Sequence, residues 1–222
     1  MRAGEKAQAR DLRTTLAWVS EGTALCRKVL AGLDETSYDA PSTLPGWTRK
    51  HLVAHLAGNA EALGNLVHWA RTGEPTPMYA SSGQRNADIE GGARLPGARL
   101  TVWFEESAQT LTDAMAALTA EQWRAEVVTA QGRTVPASEI PWLRAREVLV
   151  HAVDLDGGVR FADLPAEFRA ELRVDILAKR GGTAVPTVHG TPSEVTAYLA
   201  GRPYEGVTTP DGTPAEPLPP WL

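Results

Sequence analysis

A carboxylate and an imidazole, Glu147 and His151, lie four residues apart in a mostly apolar stretch that includes Trp142, Leu143, Val148, Leu149 and Val150. On a helix this spacing stacks them one turn apart on one face. A carboxylate among buried apolar neighbours needs a counter-charge, which a metal ion can supply. The candidate for a facing helix is the segment holding His51 and His55, again four apart. His55 and Asn59 share a stripe with Leu52, Leu56 and Leu63. Polar residues on a core-facing stripe require partners. If the two helices pack together, one carboxylate and one or two imidazoles converge on one point. Two imidazoles and a carboxylate with one open position form a common catalytic zinc set, and they also suit iron or nickel. The same residues fit a buried His–Glu hydrogen-bonded pair without metal, and spacing leaves both readings open. His51, near its helix start, reads as a cap or a solvent-facing residue. His68 and His189 read as ordinary positions.

The helical period extends over much of the chain. Residues 6–32 are expected as a first helix, with Leu12, Leu16, Val19, Cys26 and Leu30 in one stripe and Gly32 as its stop. Thr48 reads as the cap of a second helix running to about Arg71. Residues 73–97 are expected as a long connection, of a length that is often functional. A third helix is expected over 98–118, and a hairpin around Gln131-Gly132-Arg133, limited by Pro136. Pro141 opens a fourth helix that stops at Gly157-Gly158. Four helices with a crossover loop predict a bundle, whose core commonly holds metals between facing helices. After Gly158 the pattern changes to a helix over 165–179, a short strand at 185–189, a helix over 192–200, a strand at 206–209 and a proline-rich tail. The predicted fold is therefore α+β, with a bundle over 1–158 and a small α/β domain over 159–222.

Bulk properties remove other classes. The net charge is −5 and no Lys/Arg run stands out, so neither nucleic acid nor an anionic membrane is an expected partner. No apolar run approaches the ~18 residues of a membrane span. The first ten residues lack the apolar core of a signal peptide. Cys26, the single cysteine, allows no intrachain disulfide and reads as a small core residue. A cytoplasmic protein is expected, acting as a monomer.

Several blocks then carry a family resemblance. Leu44-Pro45-Gly46-Trp47-Thr48-Arg49 followed by His51-Leu52-Val53-Ala54-His55 resembles the mycothiol-dependent maleylpyruvate isomerases. So do the stretch from Leu66 to Glu74 with Thr76-Pro77-Met78-Tyr79, the block from Thr129 to Glu139, and Arg146-Glu147-Val148 through His151-Ala152-Val153-Asp154-Leu155. Ala200-Gly201-Arg202, Gly206-Val207-Thr208 and the final Pro219 to Leu222 continue the likeness. The resemblance implies a DinB-like four-helix bundle followed by a small α/β domain. It implies one divalent metal, normally zinc, on His55, Glu147 and His151, and it separates His55 from His51. It also implies an essential arginine, matched by Arg202 in its Ala-Gly-Arg context. Between Lys179 and Pro192 the chain is shorter than the family pattern.

The activity implied is cis–trans isomerisation of maleylpyruvate to fumarylpyruvate in gentisate-type aromatic degradation. Mycothiol would add to the double bond, allow rotation, and leave again. Metal would keep its sulfur ionised, and Arg202 would stabilise charge on the dicarbonyl oxygens. Arg85 in the long connection and Arg133 in the hairpin are candidates for the substrate carboxylates, since guanidinium matches carboxylate bidentately. Asn59 and Asp154 are candidates to orient the ligands. The alternatives are a mycothiol S-transferase using the same centre and a non-enzymatic metal-dependent binding module.

Overall fold

The computed structural model describes residues 10–181 and 185–221. Four long helices form the bundle: α1 (Leu12–Leu30), α3 (Arg49–Thr72), α5 (Gly97–Ala116) and α6 (Ile140–Asp154), with the five-residue α2 (Glu35–Asp39) between the first two. Residues 6–9 of the expected first helix lie outside the described residues. Asp11 caps α1 by accepting the Thr14 N–H. Thr48 and His51 cap α3 reciprocally, so His51 serves as a cap as its position predicts. A proline in the first turn of α6 needs no intrahelical donor there.

Helix α1 packs along α6, α3 packs along α5, and α3 also meets α6. The α1–α6 contact is close because position 22 is glycine. A Cβ there would come within 2.5 Å of Val148 Cγ2 and 2.8 Å of Leu149 Cγ. Cys26 is fully buried and donates to the Val148 carbonyl (3.2 Å), which is the core role predicted for it. Between α3 and α6, the buried Arg144 donates to the Leu56 carbonyl (2.7 Å) and to Asn59 Oδ1 (2.8 Å), which fixes the register of the two helices.

The connection over 73–97 is not all loop. It contains α4 (Ser82–Gly92), which packs on α3 and is capped by Ser81. Three glycines and a single large apolar residue, Ile89, give this segment no helical stripe to read. The expected hairpin is present as β1 (Glu126–Val128) and β2 (Thr134–Pro136), antiparallel with Val127 opposite Val135.

Beyond the bundle, α7 (Ala166–Arg180) and α8 (Pro192–Leu199) form as expected. Phe168 of α7 packs between Trp18 and Trp142 at 5.8 and 5.6 Å, so this segment shares the bundle's core. The two expected strands pair only through a single antiparallel bridge, His189 to Thr208, with a second bridge from Thr208 to Pro214. Pro186 and Pro210 have no N–H with which to lengthen that ladder. No described helix is long and apolar enough to cross a membrane.

Candidate metal centre and active site

The packing of α3 on α6 brings His55, Glu147 and His151 together, with one potential ligand atom from each inside a 4.8 Å set. His55 Nε2 lies 2.8 Å and His151 Nε2 3.3 Å from Glu147 Oε2. The two imidazole rings stand nearly perpendicular with centroids 5.1 Å apart. Burial alone would push the Glu147 carboxyl up. Hydrogen bonds from His151 and His55, and their charge, outweigh it and hold the carboxyl well below the usual carboxylate range. Burial dominates at His55 and lowers its pKa despite the Glu147 contact.

His151 is oriented from behind. Its Nδ1 lies 2.8 Å from Asp154 Oδ2, and Asp154 is fully buried. Arg202 grips the same carboxylate twice, Nε to Oδ1 at 2.8 Å and Nη2 to Oδ2 at 3.0 Å, and Thr43 Oγ1 donates to Oδ1 at 2.9 Å. Burial works against the ionised carboxyl, but His151 and Arg202 bring Asp154 down to about 2. Against the same burial, Asp154 and Glu147 raise His151 to about 9. With Nδ1–H donated to Asp154, the Nε2 of His151 faces Glu147, and loss of its proton would free that lone pair for a metal. This donor set fits a divalent metal: two nitrogens and one ionised oxygen within reach of a common point, one of them held by a carboxylate in the manner of metal-site histidines.

The centre opens on a cavity of about 490 Å³. Leu44, Trp47, Leu63 and Leu143 give it apolar walls, and Tyr79, Thr129, Ala130, Gln131 and Pro220 also line it. Three arginines reach it: Arg85, Arg146 and Arg202. Arg85 comes from α4 and sits with Nη2 3.3 Å from His55 Nδ1. Arg202 lies at the site as expected, but its guanidinium is committed to Asp154. Arg133 does not line the cavity. It is exposed at the hairpin turn, and the hairpin meets the cavity through Thr129, Ala130 and Gln131.

Arg146 was not among the residues singled out from sequence. It is 6% exposed, donates through Nη1 to Asp175 (2.7 Å), and its Nε has no protein partner. Its position beside Glu147 is the only sequence signal for it, and an arginine in an apolar helix reads equally as a structural ion pair. Lys179 approaches the same corner, 4.8 Å from the Trp221 ring, and its amine also lacks a hydrogen-bond partner.

Comparison with known proteins follows the same lines. A family model described as the mycothiol maleylpyruvate isomerase N-terminal domain matches residues 19–156. Among solved structures, the chain is similar to a crystal structure of the mycothiol-dependent maleylpyruvate isomerase, with 38% identity and a TM-score of 0.89 over 94% of this chain and 97% of that one. A histidine-to-alanine mutant of that enzyme matches at 37% identity with the same TM-score and coverage. YfiT from Bacillus subtilis, with its unusual four-helix bundle topology, is similar in fold: 14% identity and a TM-score of 0.55 over 70% of this chain and 91% of that one. No curated protein matches.

Proposed function

The chain belongs to the mycothiol maleylpyruvate isomerase family, and from that premise we propose that it isomerises maleylpyruvate to fumarylpyruvate with mycothiol as the thiol. The observation that carries this reading is the joining of a three-ligand centre to a cavity with three arginines. A divalent metal, zinc in the first instance, would supply a Lewis acid that keeps a thiol ionised, and reversible thiol addition is what frees the double bond to rotate. His55, Glu147 and His151 would hold the metal. Asp154 fixes the His151 ring, and Arg202 and Thr43 hold Asp154 in turn.

The remaining residues fit an anionic substrate. Maleylpyruvate carries two carboxylates. Arg85 and the unpartnered Nε of Arg146 are the groups to receive them. Arg202 keeps N–H donors beyond those given to Asp154 and Ala200, which can face charge developing on the dicarbonyl oxygens. The apolar walls thin the water around the reacting atoms, which strengthens each of these interactions. The setting proposed is cytoplasmic degradation of aromatic compounds by way of gentisate, with the chain acting as a monomer.

The test is turnover of maleylpyruvate by zinc-loaded protein, with and without mycothiol, with products identified by nuclear magnetic resonance. Fumarylpyruvate formed only with the thiol, and the thiol recovered unchanged, is the expected result. A stable thioether would replace isomerase by S-transferase. Formation of neither product would overturn both.

A further inference from the structure

A second cavity, of about 620 Å³, lies on the other side of the segment carrying Met78, Tyr79 and Arg85. Those three residues, together with His55 and Asn59, line both cavities. The two spaces are chemically unlike. The metal-centre cavity gathers three arginines. The second is lined by the carboxylates of Glu61 and Asp88, the amides of Asn65 and Gln84, and the half-buried indole of Trp103. Among the described residues, the only arginine or lysine lining it is Arg85, on the partition itself.

One glycine in this lining has no explanation in the protein's own packing. Gly58 lies in the interior of α3, and a Cβ there would meet no atom within 4 Å beyond the helix's own backbone. It weakens the helix relative to alanine. Gly92 of the same lining is different: a Cβ there would come within 2.6 Å of Ala54 and 2.9 Å of Trp103, so the packing of α4 against α3 and Trp103 requires it. Bare backbone that packs against nothing, facing a cavity, is what the close approach of a ligand calls for.

We propose that this second cavity binds the uncharged polyol part of the thiol co-substrate, the glucosaminyl-inositol of mycothiol. The inference rests on the mycothiol reading above and adds where the thiol is recognised. Carboxylates accept hydrogen bonds from pairs of hydroxyls, primary amides both donate and accept, and an indole face covers the apolar face of a sugar ring. The arginine-rich cavity is then left for the dianionic substrate. His55, common to both cavities, stands where the sulfur end of the thiol meets the metal centre.

The probe is N-acetylated glucosaminyl-inositol, which keeps the amide found in mycothiol, carries no charge and has neither sulfur nor a free amine to ligate metal. Its binding to the zinc-loaded protein is followed by saturation-transfer nuclear magnetic resonance, with and without saturating maleylpyruvate, and repeated after chelation. Binding is expected under all three conditions. It should weaken about tenfold in Asp88→Ala, the loss of one charge-assisted hydrogen bond, and similarly in Gly58→Leu, whose side chain occupies the cavity floor without disturbing a packed contact. In turnover the same variants should raise KM for mycothiol about tenfold and leave KM for maleylpyruvate within about twofold. A purely structural Gly58 would instead give Gly58→Leu an unchanged KM for mycothiol, and that result overturns the proposal. So does wild-type protein that turns over but does not bind the glycan. Glycan binding without turnover supports the cavity assignment and removes the isomerase reading, so the two failures are distinguishable.

Discussion

Arg85 Nη2 lies 3.3 Å from His55 Nδ1. Because arginine can only donate, the imidazole accepts at Nδ1 and carries its proton on Nε2, directed at Glu147. Ligation of a metal through Nε2 requires the opposite tautomer, whose Nδ1–H an arginine cannot accept. The Arg85 contact and metal ligation at Nε2 therefore exclude one another. Arg85→Ala is expected to tighten metal binding about fivefold, the equivalent of one hydrogen bond, while raising KM for maleylpyruvate. Competition with a chromogenic chelator measures the first quantity, and weaker metal binding would contradict the account.

Asp154 ties the candidate metal ligand His151 to Arg202. Asp154→Asn leaves a hydrogen-bonding side chain but removes the charge that holds the His151 tautomer and balances Arg202. Metal affinity should fall about 10- to 100-fold. Removal of one partner from a buried charge pair should also cost about 3–5 kcal/mol of folding stability. Arg202→Ala should abolish turnover with one metal per chain still bound, and should share that loss of stability. Chelator titration and denaturant unfolding of both variants check these outcomes.

Lys179 gives a pH-dependent test. Burial, then the Arg146 charge, bring its amine down to about 8, with Asp175 opposing and Arg133 adding to the depression. The unfolded amine titrates at about 10.4. Between these values the unfolded chain holds a proton that the native chain has lost, so this group makes stability rise with pH across the window. Below pH 8 its full penalty is present. Lys179→Met should thus stabilise the protein at pH 7 by about 1–2 kcal/mol, allowing for screening around a partly exposed side chain. The gain should shrink steadily toward pH 10.4. An equal gain at pH 7 and pH 10 would assign the effect to packing.

The C-terminal tail closes one side of the cavity at His55, Glu147 and His151. Pro220 lines it, and Trp221 lies 5.5 Å from the Arg146 guanidinium and 4.8 Å from the Lys179 amine. Arg180 Nη2 anchors the tail through the Pro219 carbonyl at 2.7 Å. Truncation after Pro217 removes the ring that holds Arg146 in place. KM for maleylpyruvate should rise about fivefold, matching a cation–π contact of about 1 kcal/mol. An unchanged KM would mean that Arg146 does not depend on the tail.

What the sequence made legible was local. The stripes of α1, α3, α5 and α6, the Thr48 cap and the Glu147–His151 spacing are all set within one or two helical turns. Helix α4 was hidden because it is held by α3 and by the Ser81 cap rather than by a stripe of its own. Arg85 was identified as a candidate while the helix that aims it was not. The choice between Arg133 and Arg146 turns on which side of the hairpin faces the cavity, a tertiary fact. The grip of Arg202 on Asp154 spans 48 positions and leaves no trace in spacing. Spacing alone does not tell His55 from His51; the place of His51 at its helix start and the family resemblance do. The structure gives the reason: the His51 ring is occupied in capping α3.

His55, Glu147 and His151 are proposed to hold one divalent metal on which turnover depends. Metal-free protein titrated with zinc, with bound metal and thiol-dependent isomerisation of maleylpyruvate read on the same samples, tests it most directly. Bound metal and rate should rise together and level off at one zinc per chain, and Glu147→Gln should show neither rise. Full turnover by metal-free protein, or saturation of the rate at a different stoichiometry, would contradict it.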